Sequence, residues 1–232
     1  MPSFLRKEEQ TISMYQTILF DLDGTLTDPG IGITNSVAYA LKKYGITVND
    51  RFELYKFIGP PLQRSFEMFY GFSPEDAVTA VEYYREYYQD KGIFENRLYD
   101  GIPKLLQSLK QIGKTLLVAT SKPETFSLQI LEYFDIKKYF TFVAGSNLDG
   151  SRSEKTEVIT YALEAGHISD LSSSLMVGDR SYDIIGAKQA GIHSVGVLFG
   201  YGSREELETA GADHIAETEH DILSIIQQGE AL

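Results

Sequence analysis

Short, nearly continuous apolar runs alternate along this chain with segments whose apolar residues recur at helical spacing. The runs are YQTILF (15–20), KTLLVAT (114–120), FTFVAG (140–145), SSLMVGD (173–179), HSVGVL (193–198) and a weaker DHIAE (213–217). Their length, and the turn-forming or acidic residues around them, predict strands buried on both faces. Between the runs, Ile102, Leu105, Leu106 and Leu109 fall on one helical face. Phe126, Ile130, Leu131 and Phe134 make a second, and Val158, Ile159, Ala162 and Leu163 a third. Pro103 and Pro123 stand at helix starts, where proline is tolerated. Repeated strand–helix alternation predicts an α/β fold, a parallel sheet covered by helices on both faces. Ligands of such sheets bind beyond the carboxyl ends of the strands. That is where the acidic residues of this chain collect.

The alternation breaks once. Residues 30–98 hold no good strand, but they do hold helical stretches: ITNSVAYALKKYG, the segment after GPPLQRSF, and SPEDAVTAVEYYREYYQDKG. This is far more chain than a crossover needs, and it predicts an all-helical insertion lying as a lid over the site. The expected division is a catalytic core at 15–29 and 99–232, a helical cap at 30–98 and a flexible leader at 1–14.

Composition narrows the classes. Apolar residues make up 43% and charged residues 23%, which sets disorder aside. The complete absence of cysteine excludes disulfides, thiol catalysis and zinc–cysteine sites, and it fits a reducing, cytoplasmic setting. A formal charge of −12 argues against nucleic acid as a partner. It also means that an anionic substrate needs a site with local cations of its own. No apolar run approaches a membrane span, and MPSFLRKEEQTISMYQ lacks the apolar stretch of a signal peptide.

Four short blocks at strand ends carry the candidate chemistry. DLDGTLTD places Asp21 and Asp23 after the first strand, and residues two apart in an extended segment share a side. VATSKP places Thr120 at the next strand end, with Ser121 and Lys122 behind it. DGSRSEK leads Lys155 into a helix start, where a cation is electrostatically misplaced unless it has a task. VGDRSYD places Asp179 at a strand end and Asp183 one helical turn further on.

These blocks resemble the haloacid dehalogenase superfamily, in particular its phosphatases with a helical cap after the first motif, from Tyr15 to about Ile226. More narrowly, DLDGTLTD, IGPPL, GSNLDGSRSEK and VGDRSYDIIGAKQAGI look like its bacterial phosphoglycolate phosphatases and 5′-nucleotidases. The resemblance implies a Rossmann-like core and a phosphomonoesterase acting on a small phosphorylated metabolite, as a monomer or homodimer. It also adds the Asp23 backbone carbonyl as a metal ligand.

The chemistry of phosphate esters suits these residue types. An aspartate can attack a phosphate dianion if cations neutralise the transferring group. Mg²⁺ prefers one or two carboxylates plus substrate oxygens. Asp21 is then the nucleophile and, with Asp179, a side-chain metal ligand, while Asp183 supports the site directly or through water. Lys155 and Thr120 hold the phosphoryl oxygens, and Asp23 is the general acid and base. Arg64, after the loop 57–62, either reaches the substrate or belongs to a plain interhelical turn; Arg152 either binds a second anionic group or covers a helix end. Tyr83, Tyr84, Tyr87 and Tyr88 read as core and surface of the cap, more than as a base-stacking platform. The four histidines show no ligand spacing. A phosphomutase would use the same residues, and a phospho-accepting receiver module shares the aspartates but has no helical insertion.

Overall fold

The computed structural model describes residues 14–228, so nearly all of the leader expected at 1–14 lies outside the described residues. The six apolar runs become β1 (Thr17–Phe20), β4 (Thr115–Pro123), β5 (Phe142–Ser146), β6 (Ser174–Gly178), β7 (His193–Val197) and β8 (His214–Ala216). They pair in the order β5-β4-β1-β6-β7-β8, all parallel, with Thr17 in register with Thr115 on one side and Ser174 on the other.

β1 is central and buried on both faces, as a continuous apolar run requires. Ile18 and Phe20 enter one core cluster, with Ile102 and Leu105 of α4 (Ile102–Gln111), Ile130 of α5 (Glu124–Tyr133) and Ile222 of α9 (Glu219–Gln228). Leu19 enters the other, with Val158 and Ile159 of α6 (Lys155–Ala165) and Ala187 of α7 (Ser181–Ala190). The remaining core helix, α8 (Arg204–Ala210), precedes β8. The sheet is thus the middle layer of three.

The long departure after β1 is helical. It comprises α1 (Gly30–Lys43), a 3-10 helix (Arg51–Phe57), α2 (Leu62–Tyr70) and α3 (Pro74–Tyr87), which runs on into a π-helical turn (Tyr88–Gly92). Its own apolar contacts include Phe57 against Phe66, with ring centroids 5.0 Å apart. Tyr84 and Tyr88 are buried and stacked, whereas Tyr83 and Tyr87 are half-buried. α3 starts where its residues say it should: the Ser73 hydroxyl accepts the Asp76 N–H at 3.1 Å, and proline follows at the first turn.

Residues 97 and 98, expected inside the helical stretch, instead form a strand. β2 (Thr27–Asp28) and β3 (Arg97–Leu98) pair antiparallel, Thr27 with Leu98 and Asp28 with Arg97. Two residues are too few to leave a period-two pattern in a sequence. Among the described residues, no helix is long and apolar enough to cross a membrane.

Candidate active site

From β1 the chain builds outward to β4 and β5, then returns to lay β6 on the other flank of β1. This reversal opens a crevice at the strand carboxyl ends. Asp21 follows β1 and Asp179 follows β6, so the two carboxylates converge on it. Asp183 is the third residue of α7, its Oδ2 accepting the Arg180 N–H at 3.0 Å. Lys155 opens α6, and Thr120 lies in β4. Gly24 turns the chain away from the site at φ +84°, and a Cβ there would collide with the Asp179 carboxylate.

Carboxylate oxygens of Asp21, Asp179 and Asp183 lie within 4.8 Å of one another, and all three residues are buried. The Lys155 ammonium stands 2.9 Å from Asp21 Oδ1 and 2.8 Å from Asp183 Oδ1, and it donates to the Ala119 carbonyl at 3.2 Å. Its contacts to the two carboxylates are ion pairs off the line of directed hydrogen bonds. Asp179 Oδ2 accepts the Tyr201 N–H at 2.8 Å, whereas its Oδ1 has no partner among the described residues. Asp23, also buried, is paired with Lys122, whose ammonium lies 4.9 Å from the Tyr88 ring centroid.

Crowding of charge shows in the proton affinities. Burial first, then the carboxylates of Asp183 and Asp21, push Asp179 well above the usual carboxylate range. Burial raises Asp183 to about 6 against the pull of Lys155. Burial alone would lower Lys155, but Asp183 and Asp21 more than reverse it. Asp23 is raised by burial, with Lys122 opposing. Counted as ionised, Asp21, Asp23, Asp179 and Asp183 would outnumber the ammonium groups of Lys155 and Lys122 by two, and burial together with that excess raises the proton affinity of Asp179. An all-oxygen cluster with an unpartnered Asp179 oxygen fits a hard divalent cation.

A cavity of about 650 Å³ opens from this cluster toward the helical insertion. Asp21, Asp23, Thr120, Ser121 and Lys122 form its floor; Phe57, Tyr84, Tyr88 and Phe126 give it aromatic walls. Arg64 lines it from α2. Arg152 does not: its guanidinium bonds the Gly145 carbonyl at 2.9 Å and Glu124 at 3.3 Å, and lies 3.8 Å from the Tyr161 ring centroid. It braces the loop after β5 through Gly145, Glu124 and Asn147.

Sequence reading did not give site roles to Lys122, Arg180 and Tyr201. For Lys122 the cue was present, a lysine two residues past Thr120 at a strand end. For Arg180 the cue was its place beside Asp179 in VGDRSYD; for Tyr201 no local cue exists, because the loop after β7 meets the end of β6 only in the folded chain.

Comparison with known proteins agrees with this geometry. Residues 18–197 match the family model described as haloacid dehalogenase-like hydrolase. A 5′-nucleotidase of Pseudomonas aeruginosa is 46% identical over 86% of this chain and 90% of its own length. A tyrosine-protein kinase, PtkA, of Mycobacterium tuberculosis is 40% identical over 83% of this chain, which spans only 65% of that protein. A phosphoglycolate phosphatase of Vibrio parahaemolyticus is 29% identical over 90% of this chain and 95% of its own. The crystal structure of a predicted phosphatase from Clostridium acetobutylicum, 50% identical, superposes with a TM-score of 0.91 over 93% of this chain and all of that one.

Proposed function

Because this chain belongs to the haloacid dehalogenase-like hydrolases, we propose that it is a Mg²⁺-dependent phosphomonoesterase that passes the phosphoryl group of a small metabolite through an aspartyl-phosphate on Asp21. The observation that carries the reading is the Asp21 carboxylate itself, buried, held at 2.9 Å by Lys155, and on the floor of the cavity.

Hydrolysis of a phosphate monoester is so slow unaided that barrier reductions on the order of 20 kcal/mol are required, most of it as compensation of developing charge. Bound Mg²⁺ supplies positive charge to the phosphoryl oxygens. Asp21, Asp179, Asp183 and the Asp23 carbonyl would hold it. Asp21 attacks phosphorus in line while Asp23 gives its proton to the departing ester oxygen. Asp23 then takes a proton from water, which attacks phosphorus, releases inorganic phosphate and restores Asp21. The raised proton affinity of Asp23 suits the acid half of that cycle. Lys155 and the hydroxyls of Thr120 and Ser121 would steady the transferring oxygens. In this reading residues 30–98 are the cap, and 15–29 with 99–232 the catalytic core.

Within this class the cavity favours a nucleoside 5′-monophosphate over a two-carbon ester. A volume of about 650 Å³ falls in the range of sites that enclose a drug-sized ligand. The aromatic walls of Phe57, Tyr84, Tyr88 and Phe126 suit a flat base, and Arg64 and Arg85 offer donors to its edge. The 46% identical relative named 5′-nucleotidase supports the same choice.

Release of inorganic phosphate should be measured from dTMP, UMP, phosphoglycolate and sugar phosphates, with and without EDTA. Nucleotides should be the better substrates, and EDTA should abolish turnover. Full turnover in EDTA would sink the cation-dependent mechanism. Phosphoglycolate ahead of every nucleotide would overturn the substrate choice alone.

A further inference from the structure

Two backbone amides fix two carboxylates of the cluster: Arg180 N–H on Asp183 at 3.0 Å and Tyr201 N–H on Asp179 at 2.8 Å. The same two residues send their side chains to the cap. Arg180 Nη1 donates to the Ile58 carbonyl at 2.7 Å, at the end of the 3-10 helix Arg51–Phe57. Glu206 aims the guanidinium by accepting from Nε at 3.0 Å, and it also takes the N–H and hydroxyl of Ser181, each at 2.8 Å.

The Tyr201 ring stands edge-on to Tyr55 of that 3-10 helix, with centroids 5.4 Å apart at 88°. Its hydroxyl bonds Asp28 in β2, the strand through which the chain enters the cap. A Cβ on the neighbouring Gly202 would collide with the Asp179 carbonyl. The loop therefore packs directly on the Asp179 backbone as well as bonding its carboxylate.

We propose that Arg180 and Tyr201 are positioning residues that tie the seating of the cap to the carboxylates holding the divalent cation. The inference rests on the cation assignment made above. Each residue holds a ligand carboxylate with its backbone amide and meets the cap with its side chain, so a shift at one end is felt at the other. A cap seated on Ile58 and Tyr55 sets the amides that orient Asp183 and Asp179. A cation drawing those carboxylates together holds the seam that seats the cap. Linkage makes the two effects equal in size. An ordinary Arg–Glu pair at the surface would couple nothing and contribute little.

The test uses the full chain, its Arg180→Gln and Tyr201→Phe variants, and Mg²⁺ alone as the probe. Calorimetry reads Mg²⁺ affinity; hydrogen–deuterium exchange reads residues 51–61 with and without Mg²⁺. In the wild type, Mg²⁺ should slow exchange in that segment. In Arg180→Gln the slowing should vanish and the Mg²⁺ dissociation constant rise about 5-fold or more. Tyr201→Phe, which loses only the hydroxyl bond to Asp28, should move both readings the same way by less. Faster exchange that is equal with and without Mg²⁺, at unchanged affinity, marks a merely structural seam and overturns the proposal. If Arg180→Gln does not fold, Tyr201→Leu, which also removes the ring contact with Tyr55, decides on the same two readings. A wild-type chain that takes up no Mg²⁺ brings down the cation assignment as well. Coupling without any phosphate release would remove only the phosphatase reading.

Discussion

Lys155 donates one hydrogen bond, to the Ala119 carbonyl, and pairs by charge with Asp21 and Asp183. Its position at the start of a helix, unfavourable for a cation, is thereby offset by two buried carboxylates. Of Asp21, Asp179 and Asp183, it is Asp21 that lines the cavity, with Lys155 paired to its carboxylate. Asp21→Asn keeps the volume but removes the anionic oxygen. Phosphate release should fall by about 10³-fold or more, with the circular dichroism spectrum unchanged; wild-type turnover in that variant would end the covalent mechanism. Asp21, Asp23 and Asp179 were legible from short acidic blocks at strand ends, and Lys155 from being a cation at a helix start. Arg152 was not, because its choice between an anion and a helix end depends on Gly145 and Glu124, which only the fold brings near it.

At the scale of elements, the ribbon of β2 and β3 joins the helical insertion to the sheet, and Asp28 is its electrostatic centre. Burial pushes the Asp28 carboxyl up, but the Tyr201 hydroxyl, Arg97 and the Gly30 N–H together hold it below its ordinary value. A carboxylate depressed in the folded state contributes stability above its unfolded pKa and loses it as pH falls through the lower folded value. The gap in melting temperature between wild type and Asp28→Asn should therefore be steady from neutral pH down to about 5 and close below about 4. A gap that persists unchanged at the lowest pH would deny Asp28 this role. The sheet strands were readable because burial on both faces leaves unbroken apolar runs such as TILF. The ribbon was silent because its two-residue strands carry Thr, Asp, Arg and Leu in no pattern.

For the whole molecule, a formal charge of −12 includes a site whose carboxylates, when all are ionised, outnumber its ammonium groups by two. Such an arrangement is destabilised without a cation, since buried like charges repel at low effective dielectric. Anything that binds only the folded state stabilises it by mass action. At about 100 times its dissociation constant, Mg²⁺ should raise the melting temperature by about 5–10 °C. EDTA should reverse the gain, and K⁺ at equal ionic strength should not reproduce it. A thermal midpoint indifferent to Mg²⁺ would contradict the charge balance drawn here. The three-layer order was legible from alternation alone; the side on which β6 returns was not, since a strand's apolar run says nothing about its neighbour.

Thr27 and Leu98 face each other across a single rung of main chain, although 71 positions separate them in the sequence. The intervening stretch therefore leaves and rejoins the core at almost the same point. It is a cassette. A transplant from a relative, spliced at that rung, should fold on this base without disturbing Ile18, Leu19 or Phe20, and chimeras built there would let the base's chemistry be paired with lids of other shapes.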